Sequence, residues 1–149
     1  MTQETTKAAV GGMGSIPTTE GIAFRVWAPH AQSVSVKGNF NDWSDDANQM
    51  TSEENGYWYT EIKRAKVGDE YKYRIINGEK ILDKQDPYAR HVTSSVGNSI
   101  IYDPHQFDWQ GDDFKMAPMN ELVIYEMHIG SFVTDNPDVP GSFAEAIGN

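Results

Sequence analysis

Gly21-Ile22-Ala23-Phe24-Arg25-Val26-Trp27-Ala28-Pro29 decides the fold. Ile22, Phe24, Val26 and Ala28 alternate with Ala23, Arg25 and Trp27, the period of two that marks a half-buried strand. Pro29 has no N–H for a ladder and stops it. The same grammar recurs downstream. Ser33-Val34-Ser35-Val36 alternates and leads into a polar loop, Gly38-Asn39-Phe40-Asn41-Asp42-Trp43. Tyr57-Trp58-Tyr59-Thr60-Glu61-Ile62 is rich in β-formers. Tyr71-Lys72-Tyr73-Arg74-Ile75 puts aromatics on one face and cations on the other. Asn77-Gly78 signals a two-residue hairpin, with Glu79 to Leu82 as the returning strand. Ile100-Ile101-Tyr102 supplies a last strand before Asp103-Pro104. Short strands with frequent turns and no helical period predict an all-β, immunoglobulin-like antiparallel sandwich over residues 20–104.

The flanks read differently. Residues 1–19 are small and polar and predict a disordered tail. Residues 105–118 carry Asp, Gly, Pro and the aromatics Phe107, Trp109 and Phe114, the composition of a linker that packs against a neighbour. Within 119–149, Glu121-Leu122-Val123-Ile124-Tyr125-Glu126-Met127-His128-Ile129-Gly130 has apolar residues that do not alternate, which suits a parallel strand covered on both faces. Ser142 and Glu145 have the spacing of a capping box, so a helix is expected to begin there. This is the truncated start of an α/β domain, expected to be poorly ordered for want of strands to pair with.

The bulk composition excludes several functions. Hydrophobic residues make up 38% of the 149, enough for a packed core, and the net charge is −10. Phosphate backbones call for a concentrated basic surface, and the Lys and Arg residues are scattered. No nucleic-acid or membrane partner is expected. The absence of cysteine removes disulfides and thiolate chemistry and favours a cytoplasmic setting. His30, His91, His105 and His128 lack ligand spacing, so neither metal nor cofactor is expected.

The polar loop holds the candidate chemistry. Gly38 is read as supplying unusual backbone angles, and Asn39, Asn41 and Asp42 as turn formers with hydrogen-bonding side chains. Trp43 either caps the core or offers an exposed ring to a flat ligand. If Tyr71, Tyr73 and Ile75 face inward, Lys72 and Arg74 face outward. A cation beside an exposed ring and amides suits a sugar, whose hydroxyls need directional partners and whose C–H faces sit on aromatic rings. Solvated strand cations are the plainer alternative. Trp27 and Trp58, inside strands, read as core or inter-domain packing.

Gly21–Pro29, Gly38–Trp43 and Asp86-Pro87-Tyr88-Ala89, in this order, resemble the N-terminal module of glycogen branching enzymes and isoamylases, carbohydrate-binding module family 48. They are also similar to the glycogen-binding domain of the AMP-activated kinase β-subunit. Val123-Ile124-Tyr125-Glu126-Met127-His128-Ile129-Gly130-Ser131-Phe132 resembles the first strand of the α/β (TIM) barrel of the α-amylase superfamily (glycoside hydrolase family 13). The resemblance implies that Trp43 stacks on glucose. It implies that Lys72 and Asn98 (or, in an alternative register, Ser99) make polar contacts to the sugar, with Asn41 beside them, and that Tyr125 lines the substrate site of a full enzyme. It implies an α-1,4-glucan partner (glycogen, starch, malto-oligosaccharides), an intramolecular catalytic barrel, and glycogen biosynthesis through a 1,4-alpha-glucan branching activity. An amylase or debranching hydrolase and a non-catalytic glycogen-binding module are the alternatives. No catalytic carboxylate is assigned to residues 1–149, because the family's acid, base and nucleophile sit on later barrel strands. One departure stands out. The kinase-type module has a second stacking Trp after its hairpin turn, where this chain reads Asn77-Gly78-Glu79-Lys80-Ile81-Leu82.

Overall fold

The computed structural model describes residues 10–132, 134 and 138–147. They fall into two compact units, Met1–Asp108 and Trp109–Asn149. The first holds nine strands in two antiparallel sheets: β1 (Gly14–Pro17), β2 (Ile22–Trp27), β3 (Ser33–Gly38), β4 (Thr51–Ser52), β5 (Tyr57–Ile62), β6 (Glu70–Asn77), β7 (Lys80–Lys84), β8 (His91–Val92) and β9 (Ser99–Ile100). One sheet has the order β1-β2-β5-β4, the other β3-β6-β9-β8 with β7 also paired to β6. The alternation read from the sequence is what joins them. Ile22, Phe24, Val26, Trp58 and Ile62 from the first sheet meet Val34, Val36, Tyr71 and Tyr73 from the second in one buried core. Phe24 meets Tyr71 edge-on at 5.1 Å, and Tyr71 meets Tyr73 edge-on at 5.8 Å. Such edge-to-face pairs add about 0.5–1.5 kcal/mol each beyond the area they bury. The β6–β7 hairpin turns one residue later than Asn77-Gly78 suggests: Asn77 pairs with Lys80, and Gly78 takes φ +59.

The tail expected over residues 1–19 needs correcting where it can be seen. Residues 1–9 lie outside the described residues, but 14–17 form β1 on the edge of β2, with Gly14 opposite Arg25 and Pro17 opposite Ile22. Arg25 explains why so polar a segment is held. Its Nη1 donates to the carbonyls of Val10 (2.5 Å) and Gly12 (2.9 Å). Its Nε and Nη2 donate to the two oxygens of Glu53 at 2.8 and 3.0 Å, and its guanidinium lies 4.9 Å from the centre of the Tyr59 ring. This hydrogen bond from Arg25 holds the Glu53 carboxyl below its ordinary value of 4.5. A depressed carboxyl contributes stability that is present above its unfolded pKa and lost as pH falls through the folded one. Stability is therefore expected to fall between about pH 5 and about pH 3. In Glu53→Gln that part of the slope should be missing from urea-unfolding curves; an unchanged slope would show the pair to be idle.

The two strand tryptophans part company. Trp58 is core, its indole N–H donating to the Ala28 carbonyl at 3.1 Å. Trp27, read as core or inter-domain packing, is not core: it is 57% exposed, its indole N–H donating to the Asn55 carbonyl.

In the second unit the run read as a barrel strand has no strand to pair with among the described residues. Residues 122–128 belong to neither sheet, and Val123, Ile124 and Tyr125 are 96%, 80% and 75% exposed. A short helix α1 (Ile129–Phe132) follows, then α2 (Phe143–Ile147). The capping box is formed at α2: Ser142 N and Oγ donate to Glu145 Oε2 at 2.7 and 2.8 Å, and Glu145 N donates to Ser142 Oγ.

Candidate functional site

The outer face of β3, β6 and β7 carries a shallow depression of ≈ 400 Å³ lined by Lys37, Trp43, Lys72, Asp83 and Asn98. These residues come from five places in the sequence, and register brings them together. Lys37 lies directly opposite Lys72, and Asp83 opposite Arg74. With Tyr71 and Tyr73 fully buried, Lys72 and Arg74 must point out.

The loop that delivers Trp43 is held from within. Asn39–Asn41 make one 3-10 turn. Asn41 Oδ1 accepts from Gly38 N at 2.9 Å, and its Nδ2 donates to the Val36 carbonyl (2.9 Å) and to Asn48 Oδ1 (2.7 Å). Asn41 therefore does not line the depression; its side chain is spent on bracing the loop, which corrects its expected role as a sugar contact. Phe40 anchors the turn by packing on the core beside Phe24. Gly38 also has a different reason from the one expected. Its backbone is extended (φ −173), which any residue adopts, but a Cβ there would sit 2.3 Å from the Glu70 carbonyl and 2.6 Å from the Phe40 ring.

The unusual backbone lies further on. Asp42 and Trp43 take φ +53 and +57 in succession. For a bulky residue this is a genuine outlier, costing about 1–3 kcal/mol where it occurs. The loop carries that strain to hold a half-buried Trp43 beside Lys72.

Electrostatics separates the cations. Lys37 Nζ contacts Asp45 Oδ1 (2.5 Å) and Asp83 Oδ2 (3.2 Å). Arg74 Nη1 lies 3.0 Å from the same Asp45 oxygen and 3.2 Å from Asp83 Oδ1. Lys37's hydrogen bonds, the one to Asp45 first, raise its pKa, and the bond from Lys37 lowers that of Asp45. The four charges cancel. Lys72 stands outside the network, with no ion pair among the described residues. Its ammonium can donate to a ligand. Asn98 offers the complementary group: its Nδ2 donates to Glu70 Oε2 at 2.7 Å and its N to Thr93 Oγ1 at 2.8 Å, which leaves Oδ1 to accept. A half-exposed ring, a free ammonium and a fixed amide thus converge on one open surface. Lys37 and Asp83 were missed from sequence. The hairpin register that sets Asp83 opposite Arg74 is the signal that could have found them.

Residues 12–89, just over half of the chain, match the family model of carbohydrate-binding module 48 (isoamylase N-terminal domain). The chain belongs to this family. The match includes β1, inside the segment that composition assigned to a tail. The chain is 40% identical over 134 residues to the 1,4-alpha-glucan branching enzyme GlgB of Fusobacterium nucleatum subsp. nucleatum, covering 80% of this chain and 21% of that protein. It is 35% identical over 134 residues to GlgB of Thermosynechococcus vestitus, covering 85% and 18%. The chain thus spans about a fifth of the length of these curated relatives. Among solved structures, pullulanase type I from Bacillus subtilis str. 168 complexed with maltose matches with TM-score 0.57 and 29% identity over 75% of this chain and 15% of that one. A putative alpha amylase from Salmonella typhimurium matches with TM-score 0.66 and 23% identity over 83% and 20%, a likeness of fold.

Proposed function

We propose that this carbohydrate-binding module 48 domain holds an α-1,4-glucan on the Trp43–Lys72–Asn98 surface, as the N-terminal, glucan-positioning part of a 1,4-alpha-glucan branching enzyme. The observation that carries the reading is the convergence of those three residues, from separate segments, on one depression whose other charges neutralise one another. A glucose face can lie on the Trp43 ring while Lys72 donates to, and Asn98 accepts from, its hydroxyls. The two sheets are read as the immunoglobulin-like sandwich of such modules. Residues 119–149, with Tyr125, are read as the opening of a catalytic barrel.

In the whole protein the chemistry would be a retaining double displacement. A carboxylate attacks the anomeric carbon while a carboxylic acid protonates the leaving oxygen, and a covalent glycosyl-enzyme forms. The 6-hydroxyl of another chain then takes the glucan. The carboxylates for this belong to the barrel, so residues 1–149 should be inactive alone. The likeness to a pullulanase supports a second reading, a module positioning glucan for a debranching hydrolase.

Titrating the isotope-labelled chain with maltoheptaose tests the site. Amide and indole shifts should cluster at Trp43, Lys72 and Asn98, and silence at saturating ligand would leave the module a scaffold. Affinity should be weaker than micromolar. The returning strand of the hairpin offers no second ring, and one platform leaves little surplus over the cost of ordering the sugar. Micromolar binding would overturn that estimate.

A further inference from the structure

The Asp86-Pro87-Tyr88-Ala89 motif plays no part in the surface just described, yet it is built with care. Asp86 is buried, and its Oδ1 accepts from the Tyr88 N–H at 2.8 Å. Tyr88 is pinned from the other side by β1: a Cβ at Gly14 would lie 3.0 Å from Tyr88 Cβ. The backbone is fixed while the side chain stays 57% exposed. It faces a cavity of ≈ 490 Å³ in the first unit, whose lining includes Gly12, Ile16, Tyr88, Arg90, Tyr102 and His105. That volume lies within the roughly 300–1,000 Å³ of small-molecule sites.

The chemistry of the lining is specific. Tyr102 is 38% exposed, so two aromatic rings share the cavity. Arg90 has no ion pair among the described residues and brings a fork of N–H donors without an acceptor. The His105 backbone is fixed by Asp103, whose Oδ1 accepts its N–H at 2.9 Å. Rings for C–H faces and unspent donors for hydroxyl oxygens make a sugar site. Asp103 next to the cavity and the net charge of −10 disfavour an anionic ligand such as a phosphate.

We infer that this cavity is a second α-glucan subsite, in which Tyr88 is the stacking ring and Arg90 the principal donor. The inference rests on the proposal that the module binds α-glucan, but it uses none of the residues of the first surface. β1 forms one wall, so the two subsites sit on different parts of the same unit and a module could hold two chains, or two turns of one.

The test titrates maltotriose and maltoheptaose into the labelled full chain and into its Trp43→Ala, Tyr88→Ala and Arg90→Ala variants. A second set of shifts should appear at Tyr88, Arg90, Tyr102 and residues 11–17. It should survive Trp43→Ala. It should weaken about tenfold or more in Tyr88→Ala, by analogy with the loss of a stacking ring, and severalfold in Arg90→Ala, whose exposed side chain is no part of the fold. Shifts at Tyr88 with silence at Trp43 would support this subsite while removing the first. Shifts confined to Trp43, Lys72 and Asn98, or affinity at Tyr88 unchanged in both Tyr88→Ala and Arg90→Ala, would overturn the second subsite and leave the first standing. Silence at both overturns both.

Discussion

Asp86→Ala is expected to cost the module about 2–4 kcal/mol, the sum of buried donors left without an acceptor. Asp86 Oδ2 accepts from the Tyr71 hydroxyl at 2.5 Å and the Tyr73 hydroxyl at 3.2 Å, and both phenols are fully buried. Oδ1 accepts from Tyr88 N, and the Asp86 N–H donates to Ser99 Oγ. The carboxylate therefore ties β6 to the 86–88 segment, while the backbone N–H of the same residue ties that segment to β9. Alanine would leave the buried Tyr73 hydroxyl without an acceptor and the Tyr71 hydroxyl with Ser15 alone. Asp86→Asn retains one acceptor oxygen and should cost about half as much. Both are measured by urea unfolding, and a loss below that of Asp86→Asn in the alanine variant would show that the hydroxyls find other partners.

The pH dependence gives a second handle. Burial, outweighing the Tyr hydrogen bonds, holds the Asp86 carboxyl above its ordinary 3.8. A raised carboxyl contributes stability that is present below its unfolded pKa and lost as pH rises through the folded one. The gap between wild type and Asp86→Asn should widen as pH falls from about 7 to about 4. Asp86 thus opposes Glu53, whose contribution fades on acidification.

Trp43→Ala is expected to weaken glucan binding at the first surface about tenfold or more, taking base stacking on aromatic rings, about 1–3 kcal/mol, as the guide. Lys72→Met should weaken it about fivefold, the worth of one ordinary hydrogen bond of about 1 kcal/mol. Lys37→Met should do less to affinity and more to stability, since Lys37 is committed to Asp45 and Asp83. The strained backbone allows an internal control. At φ +57 a glycine is preferred over alanine by about 1–2 kcal/mol, so Trp43→Gly should unfold later in urea than Trp43→Ala while binding no better. Equal stabilities would mean that the loop relaxes in solution, and calorimetric affinities unchanged in Trp43→Ala would remove the ring from the site.

Most of the sandwich was legible because its strands bury one face, and burial writes a period of two into the sequence. Tyr71-Lys72-Tyr73-Arg74 is the clearest case: the order of residues alone decided which cations would face outward. The capping box at Ser142 and Glu145 was legible because it is local. β1 was not, because nothing in Gly14-Ser15-Ile16-Pro17 alternates. It is held by the edge of β2 and by a guanidinium eleven residues beyond Gly14. Leu122 to Ile129 is legible in composition only. The run has strand composition, but a strand needs a hydrogen-bonded neighbour, and no described residue pairs with it. Within the site, Trp43 and Lys72 were legible as types. Asn41 was misjudged because an amide that braces a loop and one that greets a sugar look alike in sequence.

β1 also guards the molecule against its own kind. It is short, ends in Pro17, and covers the side of β2 away from β5. Composition alone would tempt one to start the domain at residue 20. A chain begun there would offer the bare N–H and C=O groups of β2 to any passing strand, the usual beginning of edge-to-edge aggregation. A segment that looks dispensable is what keeps this sheet from recruiting a neighbour.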